Sequence, residues 1–213
     1  MNISEVLLYG VTCSRYDRIP LEKQVEAAVK GGAEMIQLRE KGISLEEYVI
    51  KAKRILEITR KMGALLIIND SIEAACLSGA DGVHLGQSDG DPEAARKILG
   101  KNAVIGVTAK TPEQALSAQE KGADYLGSGA MFVSPTKPDA VALTVSELSD
   151  ICSAVKIPVF AIGGITSENA KALCGSGISG IAVVSSLFGA DNTEEITANA
   201  VKLRTAAAEC VND

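Results

Sequence analysis

The sequence predicts a single-domain closed (β/α)8 barrel, the TIM-barrel fold, over residues 1–213. Short apolar runs alternate with helical patterns along the whole chain, which is typical of a parallel sheet covered by helices. Eight such units fit into 213 residues, which matches the lower end of the size range of closed barrels. A doubly wound open sheet is the competing architecture. No linker or low-complexity segment divides the chain.

Each predicted strand is short, nearly continuous in apolar residues and bounded by Gly, Asp, Asn or Thr. Such runs are expected where both faces of a strand are buried. In chain order the predicted strands are 7–12, 34–39, 65–69, 82–86, 104–108, 125–129, 159–163 and 180–185.

The segments between the strands show helical patterns with start and stop signals. Ser44 precedes Glu47 by three residues, as in a capping box, and Pro92 and Pro112 are expected in first turns. Glycines are expected to end several helices in a left-handed conformation. These glycines are Gly32, Gly79, Gly122 and Gly177, and the predicted helices include 21–31, 45–61, 92–98, 112–121, 144–154, 167–174 and 193–208.

Composition and charge restrict the functional class. The chain has 21 Lys and Arg against 27 Asp and Glu, a formal net charge of −6, so we expect neither nucleic acid nor an anionic membrane as partner. No apolar segment approaches the roughly 18 residues of a membrane span, and residues 1–5 lack the blocks of a signal peptide. The five cysteines form no CxxC pair and leave one over, so we expect no zinc cluster and no disulfide framework. We therefore expect a reduced, cytoplasmic enzyme acting on small molecules, and both a monomer and a homo-oligomer are compatible with the sequence.

Polar residues follow the predicted strands where a barrel keeps its chemistry, at the C-terminal ends. After the second strand, alternation places Gln37, Arg39 and Lys41 on one face. Ile36 and Leu38 would pack beneath the helices. The segment therefore predicts an amide and two cations at the barrel mouth, with a solvated charged loop as the alternative.

Two carboxylates lie beyond neighbouring strand ends. Asp70 directly follows the third predicted strand and Asp89 lies beyond the fourth. This arrangement suits a Mg²⁺ held by few protein groups and by substrate phosphates. As alternatives, Asp70 would cap a helix beginning at Ser71, and Asp89 the helix after Pro92. His84, the only histidine, is interpreted as a hydrogen-bonded structural residue rather than a base.

Later loops contain groups suited to phosphate. The segment 132–139 contains hydroxyls and a lysine between prolines, which excludes a helix or a central strand. It predicts a semi-rigid phosphate-binding loop, with an ordinary surface loop as the alternative. Gly163-Gly164 after the seventh strand and Val184-Ser185 after the eighth fit the phosphate site of such barrels. Two anions are therefore predicted, a diphosphate with metal near strands 2 to 4 and a monophosphate near strands 6 to 8.

The ordered motifs closely resemble those of the thiamine-phosphate synthase family over nearly the whole chain. Any one of them is modest support, and the ordered set is highly specific. The matching motifs are Gln37-Leu38-Arg39-Glu40-Lys41, Asn69-Asp70, the run from Asp81 to Asp89, Gly106-Val107-Thr108, Thr136-Lys137, the run from Ala161 to Ile165, and Val184-Ser185.

The resemblance implies that hydroxymethylpyrimidine diphosphate is joined to a carboxylated thiazole phosphate. The diphosphate would leave first, the thiazole nitrogen would attack the resulting carbocation, and carbon dioxide and thiamine phosphate would follow. The cofactor would be Mg²⁺ on Asp70 and Asp89. Catalytic cations would be Arg39, Lys41 and Lys137. The pyrimidine diphosphate would contact Gln37, Leu38, Arg39, Glu40, Lys41, Asn69, Thr108 and Lys137, the thiazole phosphate would contact Ser134, Thr136, Gly163, Gly164, Val184 and Ser185, and Pro135 completes the substrate-binding set.

Several positions depart from the family pattern. The family usually has Pro at positions 130 and 133, Thr at 134, Ser at 108 and often His at 110, where this chain has Ala130, Val133, Ser134, Thr108 and Lys110. The first two departures would alter the loop after strand 6. Two rival functions remain, a paralogue that isomerises the thiazole phosphate and a non-catalytic regulator that binds thiamine precursors. The first is disfavoured by the retained aspartates and cations, and the second would leave them without a purpose.

Overall fold

Eight parallel strands close into one barrel in a computed structural model that describes residues 2–133 and 142–211. Each strand pairs with its sequence neighbour, and the last strand pairs with the first. The predicted closed barrel is confirmed, and an open sheet is excluded. The strands are β1 (Leu8–Val11), β2 (Met35–Leu38), β3 (Leu65–Asn69), β4 (Gly82–Leu85), β5 (Val104–Thr108), β6 (Tyr125–Gly129), β7 (Val159–Ile162) and β8 (Gly180–Val183).

The helices surround the barrel and begin largely where the sequence predicts. Ser44 and Glu47 form the expected capping box, and Pro92 and Pro112 occupy first-turn positions. No helix of the described residues is long and apolar enough to cross a membrane. The helices are α1 (Leu21–Lys30), α2 (Leu45–Met62), α3 (Ile72–Ser78), α4 (Pro92–Leu99), α5 (Pro112–Glu120), α6 (Val145–Ala154), α7 (Ser185–Phe188) and α8 (Thr193–Val211).

The connection between β7 and β8 differs from the prediction. The segment 167–174, predicted as a helix, forms only a 3-10 helix over Ala170–Leu173. Asn169 explains the difference, because its Nδ2 donates to the Gly164 carbonyl and its Oδ1 accepts from the Thr166 N–H. Such local bonds from side chain to backbone compete with helix formation.

Two of the cysteines also depart from expectation. Cys174, after the 3-10 helix, and Cys210, in α8, form a disulfide with their Cα atoms 4.2 Å apart. The expectation of a reduced chain without a disulfide framework is therefore wrong for these two. The two cysteines are 36 residues apart in sequence, so no local spacing motif indicates that they pair. They meet because the 3-10 helix packs against α8.

The barrel has an inner and an outer core, and the alternation of each strand decides which one a side chain enters. The outer core lies between strands and helices and includes Ile36 and Leu38, as predicted. The inner core fills the barrel and includes three aromatic rings, those of Tyr9, Tyr125 and Phe160, with ring centroids 5.5–5.8 Å apart. The inner core forms the floor beneath the C-terminal rim.

Candidate active site

The predicted site residues that the structure describes lie at one rim of the barrel. Because all strands are parallel, their C-terminal ends meet at the same edge. Gln37 in β2, Asn69 in β3 and Thr108 in β5 lie at or near these ends, and Gly163 and Ser185 follow β7 and β8. The remaining predicted residues Ser134, Pro135, Thr136 and Lys137 lie outside the described residues.

The end of β2 and the residues after it present some of the predicted side chains to the rim and direct others away from it. Gln37 enters the barrel, where it is 4% exposed and donates to the Tyr9 hydroxyl. Arg39 is half-buried and Lys41 is exposed, so both cations lie near the rim surface. Leu38 points outward into the outer core, so its side chain does not face the mouth.

Two contacts fix the backbone and one carboxylate of this same segment. The Arg39 N–H donates to the Thr12 hydroxyl over 3.0 Å. Glu40 has a nearly buried side chain whose Oε2 lies 3.3 Å from Lys51 Nζ of α2. The Glu40 carboxylate thus forms an ion pair with α2, and its charge is neutralised without a substrate.

Neither of the two predicted metal ligands caps a helix. Ser71 caps α3 by accepting from the Ala74 N–H, and Asp91 caps α4 by accepting from the Glu93 N–H. The capping alternative is therefore wrong for Asp70 and for Asp89.

The loops after β3 and β4 bring the two carboxylates together. Asp70 adopts a left-handed conformation at φ 65°, and its N–H donates to the His84 carbonyl. Asp89 is exposed, and its Oδ2 accepts from the Gly86 N–H over 2.8 Å. A left-handed conformation is uncommon outside glycine, and it is more frequent for Asp and Asn than for other residues. This turn places the Asp70 side chain beside Asp89.

The carboxylate pair leaves negative charge incompletely neutralised. Burial raises the pKa of Asp70, the neighbouring Asp89 raises it further, and Asn69 and Lys41 partly oppose the rise. Like charges on adjacent carboxylates favour protonation or the binding of a cation.

Both side chains of this pair carry oxygen ligands of the kind that Mg²⁺ takes in proteins. Within residues 2–133 and 142–211, no group of three or more His, Cys, Asp and Glu side chains could hold a metal. Asp70 and Asp89 would supply two oxygen ligands, and water and substrate would supply the others, which is the usual coordination of Mg²⁺ in phosphate sites.

Polar side chains from β4 and β5 continue the rim. Thr108 Oγ1 lies 2.9 Å from His84 Nε2, and the other ring nitrogen of His84 lies 3.1 Å from the Tyr125 hydroxyl. Gln87 donates to the Thr108 carbonyl over 2.6 Å. The interpretation of His84 as a hydrogen-bonded residue agrees with these contacts.

The ends of β7 and β8 carry the small residues predicted for a monophosphate. Gly164 has φ 64°, and a Cβ at this position would lie 2.6 Å from the Phe132 carbonyl oxygen, so a side chain is excluded. Gly163 packs as closely against Ala130. Val184 directly precedes α7, whose first residue is Ser185. The Val184 carbonyl accepts a hydrogen bond from the Phe188 N–H. Close packing of the loop after β7 against Ala130 and Phe132 thus requires both glycines.

Sequence reasoning missed three polar residues that support the site. Thr12 holds the backbone of Arg39, and Tyr9 and Tyr125 contact Gln37 and His84. Thr12 ends the apolar run of the first strand, the same signal that marked the other strand ends. The two tyrosines lie inside apolar runs and resemble ordinary core residues in the sequence.

Comparison with known proteins identifies the family. A model of the thiamine monophosphate synthase family matches residues 8–187. The chain belongs to this family. It is 42% identical over 198 residues to thiamine-phosphate synthase 2 of Streptococcus pneumoniae, covering 92% of this chain and 94% of that protein. It is 41% identical over 202 residues to thiamine-phosphate synthase of Methanobrevibacter smithii, covering 95% and 97%.

A solved structure supports the same assignment. The thiamine phosphate pyrophosphorylase of Pyrococcus furiosus superposes with a TM-score of 0.87 and 36% identity, covering 98% of each chain. As a member of the thiamine monophosphate synthase family, this chain is an enzyme of the transferase class.

Proposed function

We propose that this member of the family is a thiamine-phosphate synthase. It would join hydroxymethylpyrimidine diphosphate to a carboxylated thiazole phosphate, releasing diphosphate and carbon dioxide and forming thiamine phosphate. The high identity to two thiamine-phosphate synthases supports the reaction class. The carboxylate pair Asp70 and Asp89, which caps no helix and lies at the rim, is the structural observation that supports the site.

The proposed reaction begins with cleavage of the bond between carbon and the leaving diphosphate. Negative charge then grows on the diphosphate, so groups that stabilise this charge accelerate the step. Arg39 and Lys41 at the end of β2, with Lys137, are the proposed cations. Mg²⁺ held by Asp70 and Asp89 would supply further positive charge to the same leaving group.

The second substrate would bind at the opposite part of the rim. Gly164 and Ser185, after β7 and β8, are proposed to hold the thiazole phosphate, which does not react. The thiazole nitrogen would then attack the pyrimidine carbocation. No base is required for this bond to form, which agrees with a site whose proposed catalytic groups are cations and a metal held by carboxylates.

Steady-state kinetics with both precursors varied test the proposal. Formation of thiamine phosphate by the purified protein separates a synthase from a thiazole-phosphate isomerase and from a non-catalytic regulator. Lys137→Ala is expected to lower kcat by about 10²–10³, as for loss of an oxyanion donor. Ser185→Ala, the matched comparison at the other phosphate, should mainly raise the KM of the thiazole phosphate. If Lys137→Ala changes only KM, the proposed role of this cation is wrong.

A further inference from the structure

Five polar side chains form a continuous hydrogen-bonded chain through the barrel interior. Gln37 Nε2 donates to Tyr9 Oη over 2.6 Å, and Tyr9 Oη lies 2.8 Å from Tyr125 Oη. Tyr125 Oη lies 3.1 Å from Nδ1 of His84, and Nε2 of the same ring lies 2.9 Å from Thr108 Oγ1. The chain connects the amide in β2 with the hydroxyl at the end of β5, beneath the rim.

The two phenols in the middle of this chain are neutral. Tyr9 is 2% exposed and Tyr125 is fully buried. Burial raises the pKa of both phenols above the ordinary value of tyrosine. A neutral phenol has one proton to donate, and it accepts through its oxygen. Each tyrosine therefore accepts a hydrogen bond from one neighbour in the chain and donates one to the other.

Counting these protons gives the chain a direction. Tyr9 already accepts from the Gln37 amide, so its own proton is directed towards Tyr125. The proton of Tyr125 then goes to Nδ1 of His84, which must be unprotonated to accept it. The ring proton of a neutral His84 is therefore on Nε2 and is donated to Thr108. The opposite direction would require the Gln37 amide to be turned over, so that its carbonyl oxygen, and not its nitrogen, lies against the Tyr9 hydroxyl.

We propose that this chain is polarised from Gln37 to Thr108 and that His84, fixed as the neutral Nε2–H tautomer, is a positioning residue for Thr108. Because Thr108 accepts from His84, its own hydroxyl proton is available to an anionic ligand. At the other end, the Gln37 carbonyl oxygen is available to a hydrogen-bond donor. This inference rests on the proposed function, in which these two residues contact the pyrimidine diphosphate.

The ligand matched by this polarity has a donor at one end and an anion at the other. An aminopyrimidine with a diphosphate has both. The reverse polarity would present lone pairs of Thr108 to the phosphate and amide hydrogens of Gln37 to the donor. Each of those contacts is unfavourable. Among ligands of equal shape, the direction of the chain therefore favours those with a donor at the Gln37 end and an anion at the Thr108 end.

Two glycines make room for the rings of the chain. A Cβ at Gly127 in β6 would lie 3.1 Å from Cε1 of His84. A Cβ at Gly106 in β5 would overlap the hydroxyl end of the Tyr125 ring. The strands on both sides of these rings therefore leave the space that the hydrogen-bonded arrangement needs.

Nitrogen-15 NMR of the protein labelled at histidine tests the tautomer directly. His84 is the only histidine, so its two ring resonances need no assignment. At neutral pH the spectrum is expected to show Nε2 protonated and Nδ1 unprotonated. Tyr125→Phe should lose this preference, whereas Tyr48→Phe should keep it. Tyr48 is a matched control, because its buried hydroxyl bonds the Leu38 and Asn69 carbonyls outside the chain. A wild-type Nδ1–H tautomer, or a mixture of both, would overturn the proposal.

Kinetics test whether the chain positions Thr108. Thr108→Val removes the hydroxyl at constant shape and should lower kcat/KM for the pyrimidine diphosphate about tenfold, as for loss of one hydrogen bond. Thr108→Ser should retain most of the activity. Tyr125→Phe should resemble Thr108→Val, and the KM of the thiazole phosphate should stay unchanged in all three variants. Unchanged kinetics in a folded Tyr125→Phe would overturn the positioning role.

The two measurements separate failure of this inference from failure of the proposed function. If the wild-type protein shows the Nε2–H tautomer but makes no thiamine phosphate, the synthase proposal fails while the polarity of the chain is supported. If it makes thiamine phosphate but shows the other tautomer, the synthase proposal is supported and the polarity is refuted.

Discussion

Replacing Asp70 by Asn is expected to stabilise the metal-free protein while weakening its use of Mg²⁺. Asp70 is half-buried beside Asp89, and its pKa is raised by burial and by that carboxylate. Asn has nearly the same shape and also tolerates the φ of 65° found here. The substitution therefore removes a charge and little else. The stability gain and the functional loss have the same cause. The repulsion between the Asp70 and Asp89 carboxylates lowers the stability of the metal-free protein, and a bound cation would neutralise the same repulsion.

The expected gain is small because solvent screens a partly exposed pair. Relief of repulsion at such a site contributes about 0.5–1 kcal/mol, or a rise in Tm of about 1–4 °C for a domain of this length. The sign with pH follows from the raised pKa. Above the folded-state pKa the charged Asp70 lowers stability, and below the ordinary pKa of Asp the group is protonated in both states. The advantage of Asn is thus present at neutral pH and disappears as the pH falls below about 4.

Thermal unfolding with a chelator, at neutral pH and below a pH of about 4, measures the stability gain of Asp70→Asn. A titration of activity against Mg²⁺ measures the functional cost. Asp70→Ala serves as the comparison, because alanine loses about 1–2 kcal/mol in the left-handed conformation. Two results would refute the reasoning. One is an Asp70→Asn protein that is less stable at neutral pH, and the other is an unchanged Mg²⁺ requirement.

Three further predictions concern the surroundings of the site. Ser71→Ala and Asp91→Ala should each cost about 1 kcal/mol as lost helix caps, without raising the Mg²⁺ requirement, and a raised requirement would contradict the distinction between caps and metal ligands. Gly106→Ala should cost about 1–3 kcal/mol by overpacking against Tyr125, measured by urea unfolding, and wild-type stability would show that the ring moves freely. Reduction of the disulfide between Cys174 and Cys210 should lower the free energy of unfolding by about 2–4 kcal/mol, as judged from urea curves with and without reductant, and coincident curves would contradict this.

The fold was largely predictable because its signals are local. Short apolar strands, the capping box at Ser44 and the prolines at Pro92 and Pro112 depend on neighbours in sequence, and the structure confirms them. The sequence predicted an α-helix where the structure has a 3-10 helix over Ala170–Leu173. The hydrogen bonds from the Asn169 side chain to the backbone compete there with α-helix formation. The disulfide was missed since its cysteines meet only through packing of distant elements.

The candidate site was predictable to the extent that it follows strand ends. Gln37, Asn69 and Thr108 lie at the rim as the strand register required. The choice between capping and metal binding at Asp70 could not be made from sequence, because both roles place an acid before a helix. The orientation of Leu38 followed from alternation, which conflicts with its inclusion among the substrate contacts.

The inner core explains why the rim can be ordered before a ligand binds. Of the four tyrosines and three phenylalanines, Tyr9, Tyr125 and Phe160 lie together inside the barrel. The two phenols must satisfy their hydroxyls there, since an unpaired buried hydroxyl costs about 1–3 kcal/mol. They do so through each other, through Gln37 and through His84, which also bonds Thr108. Loss of any member therefore leaves a neighbour without one of its partners. The same penalty that makes buried tyrosines unfavourable therefore holds both ends of the chain in one orientation, and the residues proposed to contact the pyrimidine diphosphate need little reordering when it binds.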